Sequence, residues 1–117
     1  MNPYYKDLDW FGNSKDELTR LPKVVVQKVG RALRIAQEGG IATYVKPLRG
    51  FRGAAVLEIV VEFQGNAFRT IYTTILKDRI WVLYSFQKKS SRGISTPKPD
   101  LEVVRTRLAA LLERQGK

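Results

Sequence analysis

Three groups of side chains in this 117-residue chain have the chemistry to engage a polyanion. Arg69 stands in Phe68-Arg69-Thr70-Ile71-Tyr72, a segment that is otherwise aromatic, aliphatic or Thr. A guanidinium there is either a fixed fork of donors for a phosphate or a charge at a sheet edge, snorkelling to water. Lys88-Lys89 follow Tyr84 and Phe86 directly, with Arg92 and Lys98 further along. Such lysines can clamp a phosphate from a strand end, or form a solvated strand end that protects an aromatic strand from aggregation. Trp81, Tyr84 and Phe86 interleave with them as base-stacking surfaces require, although most of these rings are expected in the core. Lys46, Arg49 and Arg52 form a further basic cluster near a tight turn.

Composition narrows the chemistry. The chain has neither His nor Cys, so imidazole bases, thiolate nucleophiles, disulfides and Cys/His metal sites are excluded. Acid–base work falls to Lys, Arg, Tyr, Asp or Glu. Glu58 and Glu62 lie four apart on one strand, about 13 Å at ordinary strand rise, too far and too sparse for a glycosidase pair or a metal cage. Gly50 and Gly53 are not followed by the Gly-Lys-[Ser/Thr] of a phosphate loop. No metal and no cofactor is expected. Lys and Arg number 21 against 11 Asp and Glu, a net charge of +10. Residues 1–40 hold seven basic and five acidic side chains (+2), and residues 41–117 hold fourteen and six (+8). A regional excess marks a patch, for which nucleic acid, an anionic membrane or an acidic protein are the possible partners, with general solubility as the plain alternative. The N-terminus lacks a signal pattern and the longest apolar runs are too short for a bilayer, so a cytoplasmic protein without membrane contact is expected.

The elements that must position these residues are legible in outline. One domain spanning 1–117 suits the length. Ser14-Lys15-Asp16-Glu17 has the spacing of a capping box opening a short helix, which Leu21-Pro22 ends. A second helix starts at Pro22, aligns Val25, Val29, Leu33 and Ala36 on one stripe, and stops at Gly39-Gly40. So tight a link predicts an antiparallel helical hairpin. After a turn-rich connection over 41–53, strands are expected at 55–63, 67–75 and 79–86, joined by short polar links into an antiparallel meander. A breaker-rich loop leads to a last helix with Leu101, Val104, Leu108 and Leu111 on one face. The fold class is α+β: an N-terminal helical hairpin packed on a small antiparallel meander, with a C-terminal helix and all helices on one sheet face.

Taken in order, Lys46-Pro47-Leu48-Arg49-Gly50-Phe51, Val56-Leu57-Glu58-Ile59, Phe68-Arg69-Thr70-Ile71-Tyr72 and Val82-Leu83-Tyr84-Ser85-Phe86-Gln87-Lys88-Lys89-Ser90, through Thr96-Pro97, span most of the chain. This series resembles the RelE/ParE superfamily of toxins from bacterial type II toxin–antitoxin systems, in its HigB-like, phage-derived branch. The resemblance implies a RelE-like fold and a ribosome-dependent mRNA endonuclease that blocks translation. Its partners would be mRNA, the ribosome and a HigA-like helix-turn-helix antitoxin, with DNA met only through the antitoxin complex. Members work without a metal: a ribose 2′-OH attacks its own 3′ phosphodiester, which needs a base, stabilisation of the charge on the phosphorane and an acid for the leaving 5′ oxygen. On that pattern Arg69 stabilises the phosphorane, Lys88 or Lys89 supplies charge or a proton, and Tyr84 is an acid/base or stacking group. Lys46, Arg49, Arg52 and Arg92 would bind RNA. Tyr84 stands where close members carry His, and Glu58 and Val60 where RelE-type members place paired lysines. Two alternatives stay open: a ParE-like DNA gyrase inhibitor, which generally lacks a Phe86-Gln87-Lys88-Lys89 stretch, and a basic RNA-binding domain without activity.

Overall fold

The first element among the described residues is a strand, not a helical hairpin. The computed structural model describes residues 5–51, 53–88 and 95–115. The order is β1 (Asp7–Trp10), α1 (Ser14–Thr19), α2 (Lys23–Gln37), β2 (Val45–Pro47), β3 (Val56–Phe63), β4 (Asn66–Thr73), β5 (Arg79–Lys88) and α3 (Lys98–Gln115). Five strands form one sheet, β1-β5-β4-β3-β2, with β1 parallel to β5 and the other pairs antiparallel. The three-strand meander expected from the sequence is therefore its centre, and a short strand flanks it on each side. Asp7 and Asp9 hold β1 in place by ion pairs with Arg79, the residue that opens β5. Pro47 sits on the outermost strand, where its missing N–H costs no ladder bond.

The expected capping box does not form. Asn13 occupies the N-cap of α1 with no side-chain cap, and the Ser14 hydroxyl donates instead to the Val82 carbonyl (3.0 Å). Glu17 is drawn away by Arg107 of α3 (2.7 and 2.8 Å). Both residues serve tertiary contacts, which outweigh a local motif. α2 does bury the predicted stripe, Val25, Val29, Leu33 and Ala36, and it ends as predicted. Gly39, at φ +90°, donates to Ala36 and Gly40 donates to Ile35, the two bonds of a Schellman cap. Gln64 and Gly65, both at positive φ, make a two-residue hairpin turn that sets Phe63 opposite Asn66.

The helices do not share one face. α2 and Leu18 of α1 pack with Ile59, Val61, Phe68, Tyr72, Ile80 and Val82 on one side. α3 covers Val56, Ile71, Leu83 and Phe86 on the other. The central strand β4 is buried from Phe68 to Thr73 without a break, so both of its faces need cover. No helix among the described residues is long and apolar enough to cross a membrane.

Candidate functional site

Pairing of β2 to β5 lays side chains out in transverse rows on the α3 face. Lys46, Glu58, Ile71 and Tyr84 form one row; Val60, Arg69 and Phe86 the next; Glu62, Ala67 and Lys88 the third. This alignment depends on a bulge. Ile71 opposes Tyr84 while Tyr72 opposes Val82, which leaves Leu83 as an extra residue in β5. Ile80 and Val82 belong to the α2-side core, and unbroken alternation would have buried Tyr84, Phe86 and Lys88 beneath α2 with them. The bulge reverses the phase and turns these three toward Arg69. Carbonyls at the bulge are held from both flanks. Val82 accepts from the Phe11 amide (2.9 Å) and Ser14, and Leu83 accepts from Arg107 (2.8 Å).

Arg69 is neither at an edge nor snorkelling. It lies on the central strand and is only 3 % exposed. One guanidinium nitrogen, Nη1, donates to Glu58 Oε2 (3.0 Å) and to Thr96 Oγ1 (3.1 Å), and the Thr96 hydroxyl donates to the same carboxylate oxygen. Lys46 Nζ stands 3.9 Å from Glu58 Oε1. The group clamps Thr96, just before α3, onto the sheet, so part of Arg69's donor fork is committed within the protein.

Lys88 excludes one of its two sequence readings. It is not a solvated strand end but is 6 % exposed, a diagonal neighbour of Arg69 across the β4–β5 ladder. Lys89, Arg92 and Arg52 lie outside the described residues.

Tyr84 is fixed on every side. Its hydroxyl donates to Asp100 Oδ1 (2.8 Å), its ring stacks on Phe86 (centroids 4.9 Å apart), and the Arg107 guanidinium lies 5.0 Å above it. Burial first, then the hydrogen bond to Asp100 and that carboxylate's charge, push its pKa well above that of an ordinary phenol. At physiological pH Tyr84 keeps its proton, so it is a donor and not a base.

A cleft of about 560 Å³ opens beside this face, lined by Lys46, Pro47, Leu48 and Arg49, by Ser95, Thr96 and Leu101, and by Glu58. The fold thus gathers Lys46 and Arg49 around the Arg69 partners and sets Lys88 diagonal to Arg69. Tyr84 stands at the far end of the first row, held by α3. Among the described residues no group of three His, Cys, Asp or Glu is arranged to hold a metal ion.

Sequence reasoning missed the roles of Glu58, Thr96, Asp100, Glu17 and Arg107. A signal for the first was present. Glu58 is an acid flanked on both sides by apolar residues in its strand, as Arg69 is a lone base in the next. Counting back from the Gln64-Gly65 turn places them diagonally across the ladder.

No curated protein matches the chain. Among solved structures, an arginine-to-alanine double mutant of E. coli toxin RelE in the free state is similar over 92 % of this chain and 98 % of its own (TM-score 0.58, 16 % identity). The toxin–antitoxin complex RelBE2 from Mycobacterium tuberculosis is similar over 76 % of this chain and 98 % of the matched chain (TM-score 0.48, 15 % identity). The first likeness makes the fold RelE-like, an α+β arrangement around a five-stranded sheet. At the level of sequence, the profile of the phage-derived Gp49-like proteins (DUF891) matches residues 16–109, a span that takes in Lys46, Glu58, Arg69, Tyr84, Lys88 and Asp100. The chain belongs to the phage-derived Gp49-like family.

Proposed function

We propose that this chain is the toxin of a type II toxin–antitoxin pair in the HigB-like branch, a single domain that cuts mRNA on the ribosome and so blocks translation. The observation that carries the proposal is the bulge at Leu83, which turns Tyr84, Phe86 and Lys88 to the face that bears Arg69, beside a cleft edged by Lys46 and Arg49. A backbone irregularity that re-aims side chains beside a cleft is a common device of active sites. In the cleavage, Lys88 and Lys89 offset charge on the phosphorane, and Arg69 adds to that positive charge. Lys46, Arg49, Arg52 and Arg92 hold the RNA backbone. The carboxylate of Asp100 is the acceptor available where Tyr84, which donates to it, cannot be one. A HigA-like antitoxin is the partner that restrains the enzyme, and DNA is met through that complex.

One observation favours a second reading, a basic RNA-binding domain without activity: part of Arg69's fork is spent on Glu58 and Thr96. Expression with ribosomes, followed by mapping of mRNA 5′ ends, separates the two. Cuts in translated message that disappear in the Lys88→Ala/Lys89→Ala double mutant are the expected outcome. Bound but intact mRNA would leave the non-catalytic domain standing, and intact mRNA with stalled replication would point to a gyrase inhibitor. Arg69→Lys is a better probe than Arg69→Ala, because it keeps a cation opposite buried Glu58.

A further inference from the structure

The cleft beside Glu58 has the size of a small-molecule site, about 560 Å³ against a usual ~300–1,000 Å³. Its lining divides by chemistry. Pro47 and Leu48 face Leu101 as apolar walls, Lys46 and Arg49 supply positive charge, and Ser95 and Thr96 bring hydroxyls. Glu58 closes the back, and its two oxygens differ. Oε2 is taken by Arg69 and Thr96, whereas Oε1 has the Lys46 ammonium at 3.9 Å, beyond hydrogen-bond distance. The recess therefore offers a carboxyl oxygen at its back, apolar walls, and cations at its rim.

We propose that this cleft is a base subsite for single-stranded RNA that selects cytosine or adenine over uracil through the exocyclic amino group. The proposal rests on the RNA reading above and adds which part of the RNA the protein distinguishes. A base entering between Leu48 and Leu101 gives an amino N–H of cytosine or adenine to Glu58 Oε1, and Lys46 and Arg49 meet the adjoining phosphate. Uracil presents a carbonyl where cytosine presents its amino group, and that oxygen would face a carboxylate. Guanine would use two adjacent N–H donors, but Oε2 is already engaged.

Saturation-transfer NMR on the full chain with CMP, AMP, UMP and ribose 5-phosphate tests the subsite. Base protons of CMP or AMP should receive saturation, with affinity about tenfold above that of UMP, the worth of one hydrogen bond to a charged group. Ribose 5-phosphate should bind more weakly still. Leu101→Trp, which fills the recess, should abolish the base signal. Should that variant not fold, Arg49→Ala at an exposed position should weaken CMP and leave free cytidine unchanged. Equal binding of CMP, UMP and ribose 5-phosphate would overturn the proposal by showing an anion site alone. Nucleotide binding without mRNA cuts would sink only the nuclease reading. Cuts with no preference for cytosine or adenine over uracil and no CMP binding would sink only the subsite.

Discussion

On the α2 side of the sheet, Val25, Val29, Leu33 and Ala36 close over Ile59, Val61, Phe68 and Val82, and polar groups are few: the Thr70–Ser85 hydroxyl pair and the Tyr72 phenol. On the α3 side the same strands carry Glu58, Arg69, Tyr84 and Lys88 among Val56, Ile71 and Leu83. The faces differ in how their parts depend on one another. Apolar contacts are non-directional, and each loss is local. Buried ions are tied in pairs, so removal of one strands the other in a medium that cannot solvate it.

The comparison breaks most readily at Glu58. Glu58→Ala leaves the Arg69 guanidinium buried without its carboxylate and should cost about 4 kcal/mol in denaturant unfolding. Leu33→Ala on the other face should cost about 3 kcal/mol through lost burial and a cavity. A second change should behave oppositely on the two sides. Adding Arg69→Met to Glu58→Leu should restore most of the stability, because a matched apolar pair replaces a matched ionic one. No partner change exists that would rescue Leu33→Ala in that way. If Glu58→Leu alone is as stable as the double variant, the ionic face is not the interdependent one.

Arg107 ties the two faces together, and its loss should have the next largest effect. Its guanidinium binds both oxygens of Glu17 in α1, caps the bulge carbonyl of Leu83 and lies over the Tyr84 ring. Arg107→Ala should cost about 2 kcal/mol. Because it also loosens the bulge, it should lower RNA binding by the β5 residues more than Leu33→Ala does at equal folded fraction. Arg107→Lys should restore little, since an ammonium cannot serve a carboxylate in bidentate fashion and a carbonyl together. Equal RNA binding by both variants at matched folded fraction would show that the bulge aligns Tyr84 and Lys88 without help from Arg107.

The α2 face was the more legible of the two from sequence. A stripe such as Val25, Val29, Leu33 and Ala36 depends only on helical period, and the Gly39-Gly40 stop depends only on backbone freedom. β1 escaped notice because Asp7-Leu8-Asp9-Trp10 is a four-residue alternation whose partner, β5, lies some seventy residues away. The polar face was read as a set of side chains without partners. Arg69 falls on its expected strand, whereas Lys88, expected in the loop beyond residue 86, lies within a longer β5. Only the Gln64-Gly65 turn hints that Glu58 pairs with Arg69, and nothing local says that Tyr84 meets Asp100. The bulge at Leu83 leaves no mark in composition either, since Val82-Leu83-Tyr84 fits a regular strand equally well. Ser14 and Glu17 mislead for the same reason: a local motif was complete, and distant partners took both side chains.

The smallest effect at neutral pH, and the sharpest with pH, belongs to Tyr72. Its ring lies wholly within the α2-side core, where its hydroxyl has no hydrogen-bond partner among the described residues. Tyr72→Phe therefore removes a desolvated polar atom and should leave stability unchanged or raise it by up to about 1 kcal/mol at pH 7. Burial pushes the Tyr72 pKa up to about 12 from an ordinary 10. Below pH 10 the phenol is protonated in both folded and unfolded chains, and it adds no pH dependence. Between pH 10 and 12 the unfolded chain releases this proton and the folded chain keeps it, so stability falls as pH rises. The slope should approach 1.4 kcal/mol per pH unit for this one group. Denaturant melts from pH 9 to 12 should show that decline in the parent and a shallower one in Tyr72→Phe. Parallel curves would mean that water reaches the phenol, and that the dry face of the sheet is wetter than its packing implies.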